Sequence, residues 1–303
     1  MSVAAPVAPI EEVAPARPKA AQEGRRFTIG SIPLHLALIL LTALWIVPTL
    51  GLLVSSFRPG FLVNRTGWWT AFAPPFQFTL QNYSDVLQAN NLFTSFINSL
   101  MIAIPSTVIP IAIAAFAAYA FAWMRFPFRN VLFLLLVGLL AVPLQVTLIP
   151  VLSMFKTFHL NGTFLGIWLA HAGYGLPFAI YLLRNFFGAL PSDLFESAAI
   201  DGAGPVTTFF RLVLPLSVPA LASLAIFQFL WTWNDLLVAL VYLGGDPAVA
   251  PMTVTVANLV GSLGQAYELL TAAAFVSMAL PLVVFLAMQR YFVRGMTAGA
   301  VKG

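Results

Sequence analysis

From Ile32 to Phe57 the chain runs for 26 residues without a single Asp, Glu, Lys or Arg. A transmembrane helix needs about 20 mostly apolar residues, so this stretch predicts a first membrane span. A secretory signal has an apolar region of only about 7–15 residues, which makes this segment an uncleaved anchor. Five further stretches of spanning length follow, near Phe93–Trp123, Val131–Phe155, Thr163–Leu183, Leu216–Tyr242 and Leu270–Met288. The Phe93 stretch exceeds one crossing, and its opening turns are expected at the interface. Pro48, Pro105, Pro110, Pro143 and Pro177 interrupt the spans. Membrane helices tolerate proline where neighbours or cavity water satisfy the freed carbonyl. Kinked helices around a wet cavity suit a transporter, although proline is frequent in membrane helices of every function. The predicted fold class is an all-α integral membrane protein with six transmembrane helices.

Polar residues gather at the ends and between these spans. Residues 1–30 carry Pro6, Pro9, Pro15 and Pro18 among alanines and scattered charges, with no apolar period. That composition predicts a disordered tail. Residues 31–294 form the six-span domain, and 295–303 a second short tail. With the N-terminus inside, the cytoplasmic segments hold Arg17, Lys19, Arg25, Arg26, Arg125, Arg129, Arg184, Arg211, Arg290, Arg294 and Lys302. The external segments hold only Arg58, Arg65 and Lys156. Eleven against three satisfies the positive-inside rule and predicts that both termini are cytoplasmic. The net charge of +4 therefore reports topology and gives no reason to expect nucleic acid. Composition agrees: 60% of residues are hydrophobic and 8% charged, with mean hydropathy +0.94, where soluble domains carry roughly 25% charge. The absence of cysteine excludes disulfides, Cys-ligated zinc and iron–sulfur clusters.

The largest polar island lies between the fourth and fifth spans, at about 190–212. Pro191 suits a first helical turn, Asp193 and Glu196 have capping-box spacing, and Gly202 suits a left-handed stop. A helix of about nine residues is predicted there, too short to be stable alone, with Pro205 starting a second short helix towards span five. Such an elbow must lean on something. Lipid headgroups and a partner protein both remain open, although Ala198, Ala199 and Ala203 offer lipid little apolar area and let a protein approach closely. In the fourth span, Gly162, Gly166 and Ala170 fall at i, i+4 and i+8, a ridge for close helix packing. The external loop at about 58–92, with Trp68, Trp69, Pro74 and Pro75, reads as an interfacial aromatic belt or a contact surface for an external partner.

The string Glu196-Ser197-Ala198-Ala199-Ile200-Asp201-Gly202-Ala203, followed by Leu214-Pro215-Leu216 and Pro219, resembles the coupling loop of permease subunits in bacterial ABC importers. Asn98-Ser99-Leu100, Tyr119-Ala120-Phe121-Ala122, Trp233-Asn234-Asp235 and the terminal Arg294–Gly303 run extend the likeness to the carbohydrate-uptake branch, similar to the maltose-type second permease subunit. The resemblance covers nearly the whole chain from about residue 30. It implies the type I importer fold and an ATPase-docking role for Glu196, Ala198, Ala199, Asp201, Gly202, Ala203 and Pro215. It also implies that Thr297, Ala298, Gly299 and Lys302 reach between two ATPase subunits. The implied partners are a second permease subunit, an ATPase dimer carrying ATP and Mg, an external solute-binding protein and a carbohydrate, an oligosaccharide or glycoside. The implied location is the bacterial inner membrane. Ser197 departs from the alanine usual in the family, and the Pro/Ala-rich N-terminus has no counterpart there.

No G-x-x-x-x-G-K-[ST], H-E-x-x-H or G-x-S-x-G pattern is present. The chain is therefore not expected to bind nucleotide or metal, or to act as an enzyme. His35, His159 and His171 are scattered and read as interfacial or packing residues. Gln145, Tyr174, Gln228, Trp233, Asn234 and Asp235 are candidate pore-lining or bracing residues, since an acid at mid-span facing lipid costs about 2.5–3.5 kcal/mol. Two rivals are an ion-coupled secondary carrier, which needs an intramembrane acid and finds only Asp235 near a span, and a permease for a non-sugar solute such as glycerol phosphate.

Overall fold

A computed structural model describes residues 32–88, 91–263 and 266–298, with side chains except at 260–263 and 290–298. The chain divides into two units, Met1–Thr49 and Leu50–Gly303. The first unit contributes most of α1 (Ile32–Ser56), whose residues through Thr49 are all exposed, as expected of a helix solvated by lipid.

The second unit opens with α2 (Gly60–Val63), a 3₁₀ turn at Trp68–Phe72 and α3 (Gln81–Gln88). Arg58, only 2% exposed, organises this segment by donating to the carbonyls of Thr66 and Gly67 and to the hydroxyls of Thr66 and Thr70. Next come α4 (Leu92–Trp123), α5 (Arg129–Leu139), α6 (Leu144–Thr157) and α7 (Phe164–Gly188). At 32 residues α4 reaches about 48 Å, more than the ~30 Å hydrocarbon core, and it continues through Pro105 and Pro110. Its alanines Ala114, Ala115 and Ala118 pack with Ala179, Ile180, Leu183 and Phe187 of α7, forming the central helix pair. Trp123 closes that pair by donating from Nε1 to the Phe187 carbonyl at 2.8 Å.

After α7 the chain turns through α8 (Ser192–Ile200), α9 (Pro205–Thr208), a π-helical turn at Phe209–Val213 and α10 (Leu214–Leu216). It then runs through α11 (Val218–Trp233), α12 (Leu237–Leu243), α13 (Met252–Leu263) and α14 (Tyr267–Ala298). The loop before α13 is pinned to α4: Asn98 donates to the carbonyls of Ala248 and Ala250, and Ser99 Oγ accepts the Met252 N–H at 2.8 Å.

Among the described residues, four helices are each long and apolar enough to cross a membrane, and two bent pairs raise this to six if each pair is one span. Those bends accord with spans interrupted by proline, though at two places the interruption is a full break. The stretch Val131–Phe155 breaks at the end of α5 and resumes at Pro143, the N-cap of α6, with a 100° bend. Proline has no N–H for the α-ladder, so it starts the new helix rather than continuing the old one. The Leu216–Tyr242 stretch bends by 73° near Ser217 and ends at Trp233, so Tyr242 belongs to the separate α12. Gly162 is not part of a small-residue ridge on α7. It precedes the helix at φ +73°, and its N–H donates to the Tyr242 carbonyl. The helix begins beyond Thr163, whose hydroxyl accepts from the Gly166 N–H as an N-cap.

Candidate functional site

The polar island folds as an exposed elbow. Pro191 is the N-cap of α8 rather than its first helical residue, and no side chain caps that end. The expected Asp193–Glu196 capping box is therefore absent. Asp193 lies inside the first turn, where its charge complements the helix dipole, and its carbonyl accepts from Ser197 Oγ at 2.8 Å. The other end is a Schellman stop. Gly202 sits at φ +74°, its N–H bonds to the Ala199 carbonyl, and the Ala203 N–H bonds to the Ala198 carbonyl. Pro205 then occupies the first turn of α9.

Aromatic side chains hold this elbow from behind. Phe195 stacks on Trp123 with ring centroids 3.5 Å apart, joining α8 to the end of α4. Phe209, 3% exposed, stacks on Phe116 and leans on Tyr119. The front is open. Glu196, Ser197, Ala199, Asp201, Gly202 and Pro215 are exposed, while Ala198 and Ala203 are half-buried. Ile200 is 86% exposed and Val206 71%, two apolar residues flanking the turn. A rigid base with an apolar, small-residue front suits docking against protein.

Helix α14 runs on to Ala298, beyond the expected boundary at 294, so Thr297 and Ala298 are helical. Their side chains, with Gly299 and Lys302, lie outside the described residues.

The polar candidates divide. Gln228 of α11 is 5% exposed and donates from Nε2 to the Ser106 carbonyl on α4. It also presses on α7 at Gly175, where a Cβ would lie 2.7 Å from Gln228 Oε1, so a larger residue there requires the amide to shift. Trp233, 2% exposed, donates to the Ser277 carbonyl and packs on Phe96 and Phe229. The Tyr174 hydroxyl lies 2.6 Å from that of Tyr242 and accepts from Thr147 Oγ1, tying α6, α7 and α12 together. These contacts join helices of this chain to one another. Gln145 is exposed in the first turn of α6, beside the 100° break.

Trp233-Asn234-Asp235 stands at the end of α11, not within a continuous span. Asn234 is exposed and donates back to the Leu230 carbonyl. The Asp235 carboxylate instead accepts the N–H groups of Val238 at 3.2 Å and Ala239 at 2.9 Å, which caps α12. Its carbonyl accepts from Thr253 Oγ1 at 2.6 Å, drawing in α13. His171 of α7, fully buried, places Nε2 3.7 Å from Asp235 Oδ2 and meets the Trp231 ring at 89° with centroids 5.2 Å apart.

Sequence reasoning underrated two residues. Nothing in the local pattern joins His171 to Asp235, because a distant contact leaves no periodic signal. Glu268 was a readable omission: it opens α14 as a second acid beside a span, half-buried against Gly60. Among the described residues no group of three His, Asp or Glu could hold a metal ion.

Residues 111–298 match the family described as binding-protein-dependent transport system inner membrane component. The chain is 60% identical over 274 residues to the osmoprotective compounds uptake permease protein GgtD of Synechocystis, covering 89% of this chain and 92% of that one. It is 56% identical over 241 residues to the alpha-glucoside transport system permease protein AglG of Rhizobium meliloti, covering 78% of this chain and 63% of that longer relative. The trehalose transport system permease protein SugB of Mycobacterium tuberculosis is 34% identical, with 87% and 93% covered. A solved bacterial ABC transporter involved in import of the acidic polysaccharide alginate superposes with TM-score 0.73 at 20% identity, covering 88% of this chain and 99% of that one. At that identity the likeness speaks for the fold alone. The exposed elbow, the bent spans and these relatives agree: this is a multi-pass membrane protein of the binding-protein-dependent transport system inner membrane component family, a permease subunit of the type I ABC importer fold.

Proposed function

We propose that this chain forms half of the path by which an ATP-driven importer carries a small uncharged glycoside across the bacterial inner membrane. A second permease subunit supplies the other half, and an external binding protein delivers the solute. Two copies of a separate ATPase bind ATP and Mg and engage this chain through Glu196–Gly202. The C-terminal residues Thr297–Lys302 reach towards the ATPase pair, and both termini are cytoplasmic.

The observation that carries this reading is the geometry of the elbow. A nine-residue helix with its back clamped by Phe195 on Trp123 cannot bend independently of α4. A push on its front is therefore passed to the α4–α7 pair. The front has what a protein cleft requires and lipid does not: alanines for close approach, with Ile200 and Val206 as the exposed apolar contacts. The sugar class draws support from relatives named for alpha-glucoside and trehalose transport.

The test is to place a charge on the docking front. Ile200→Glu and Val206→Glu each bury an unpaired carboxylate if the cleft exists. Purified membranes should retain at least about tenfold less ATPase subunit per permease, equivalent to ~1.4 kcal/mol, with unchanged insertion of the permease. Retention of ATPase at wild-type stoichiometry in both variants would remove the elbow from the mechanism.

A further inference from the structure

The turn between α4 and α5 places Arg125 and Arg129 on one open cleft of about 440 Å³, with Phe126, Phe128, Asn130 and Val131 as its other walls. The charge count assigns this turn to the cytoplasmic face of the membrane. No acid neutralises it: the chain has no Asp or Glu between Asp85 and Asp193, and neither guanidinium is ion-paired among the described residues. Arg129 is held in place, because its Nη1 donates to the Met124 carbonyl at 3.1 Å. A guanidinium carries five N–H donors, so most of its fork stays available. A third positive charge stands close by. The Arg184 guanidinium of α7 lies 4.9 Å over the ring of Phe133, one turn along α5 from Arg129.

Two unpaired arginines around a cleft call for an anion, and a phosphate matches the guanidinium fork with paired hydrogen bonds. What surrounds them decides its source. Phe128 is 76% exposed at the rim, and α5 goes on to expose Val131, Leu132, Leu134, Leu135 and Leu139, each by 47% to 70%. The cleft thus leads from charge directly onto an apolar helix surface. A free phosphate has no use for that surface, and an acidic peptide leaves its backbone polar groups unsatisfied against hydrocarbon. A phospholipid has both parts in this order, an anionic headgroup and then acyl chains.

We propose that Arg125 and Arg129 bind the phosphate of an anionic phospholipid whose acyl chains lie along α5. Phe128 seats at the boundary between headgroup and chains, and Asn130 supplies an amide for the headgroup's hydroxyls. The site does not depend on which solute is carried. It tethers to the membrane surface the first half of the span that bends by 100°.

The experiment places the whole importer complex in nanodiscs of phosphatidylethanolamine carrying a trace of photoactivatable phosphatidylglycerol or, separately, phosphatidylcholine. After illumination, lipid adducts on residues 124–135 are counted by mass spectrometry. One basic side chain at an anionic surface is worth about fivefold, so the phosphatidylglycerol adducts should exceed the phosphatidylcholine adducts about 25-fold in the wild type. The ratio should fall about fivefold in Arg125→Gln or Arg129→Gln and approach equality in the double variant. Lysine at both positions keeps the charge and should preserve most of the preference. Equal labelling by the two lipids in the wild type overturns the site without recourse to any variant. Competition by excess inorganic phosphate assigns the cleft to a free anion and overturns the lipid. Absence of adducts from either lipid shows that another subunit covers α5, and overturns it too.

Discussion

Asp235 shows how a side chain's partners decide its role. A lone acid next to an apolar span invites an ion-coupling interpretation, but its two oxygens are engaged by the N–H groups of Val238 and Ala239 at the start of α12. A cap needs an acceptor, not a charge, and replacing one typically costs about 0.5–2 kcal/mol. Asp235→Asn should therefore keep more than half of wild-type uptake, while Asp235→Leu should lose most of it by stranding both donors. Uptake into vesicles with ATP held constant and the proton gradient dissipated is the measurement. Collapse of uptake in Asp235→Asn, together with dependence on the gradient, would favour a secondary carrier. Little of this was legible in the sequence. Leu236-Leu237-Val238 continues the apolar run so smoothly that only the Asn234-Asp235 pair marks the break. His171 and Trp231 carry no local signal of each other, since their contact is made only when α7 and α11 pack.

Elements were more legible where chain punctuation sets them. The bounds of α8 follow from Pro191 and Gly202, and the structure keeps both while discarding the capping box. The reason is positional: with Pro191 as N-cap, Asp193 is already inside the helix and cannot reach back to an orphan donor. Pro143 marked one interruption, but the size of that bend and the bend near Ser217 were hidden, because hydropathy measures how apolar a stretch is and not whether its axis is straight. At the elbow, Gly202 has open space around its Cα, so a substitution there costs backbone strain alone. A β-branched residue at φ +74° is an outlier worth roughly 1–2 kcal/mol. Gly202→Val should reduce uptake several-fold with insertion intact, and Gly202→Ala should fall between Val and wild type. Equal uptake in all three would show that the reversal at 202 does not matter for coupling.

At the scale of the whole molecule, the membrane-spanning character was legible in the apolar stretches, and the expected sidedness rests on eleven basic residues on one side against three on the other. Charge cannot cross hydrocarbon cheaply, so this asymmetry survives any detail of packing. Single cysteines at Thr66 and Gly245 should react with an impermeant thiol reagent from outside intact cells, and cysteines at Asn130 and Ser192 only after permeabilisation. The reverse labelling would invert the topology and remove the elbow from the ATPase side. The central claim is that this elbow docks on a separate protein motor, and one measurement addresses it most directly. The chain has no cysteine, so Ala199→Cys offers a single attachment point on the exposed front of α8 for a short photoactivated cross-linker. In membranes containing the assembled complex, illumination should join this position to the ATPase subunit, and the yield should change when ATP closes the ATPase pair. Cross-linking to lipid alone, with or without ATP, would show α8 lying on the headgroups and contradict the account.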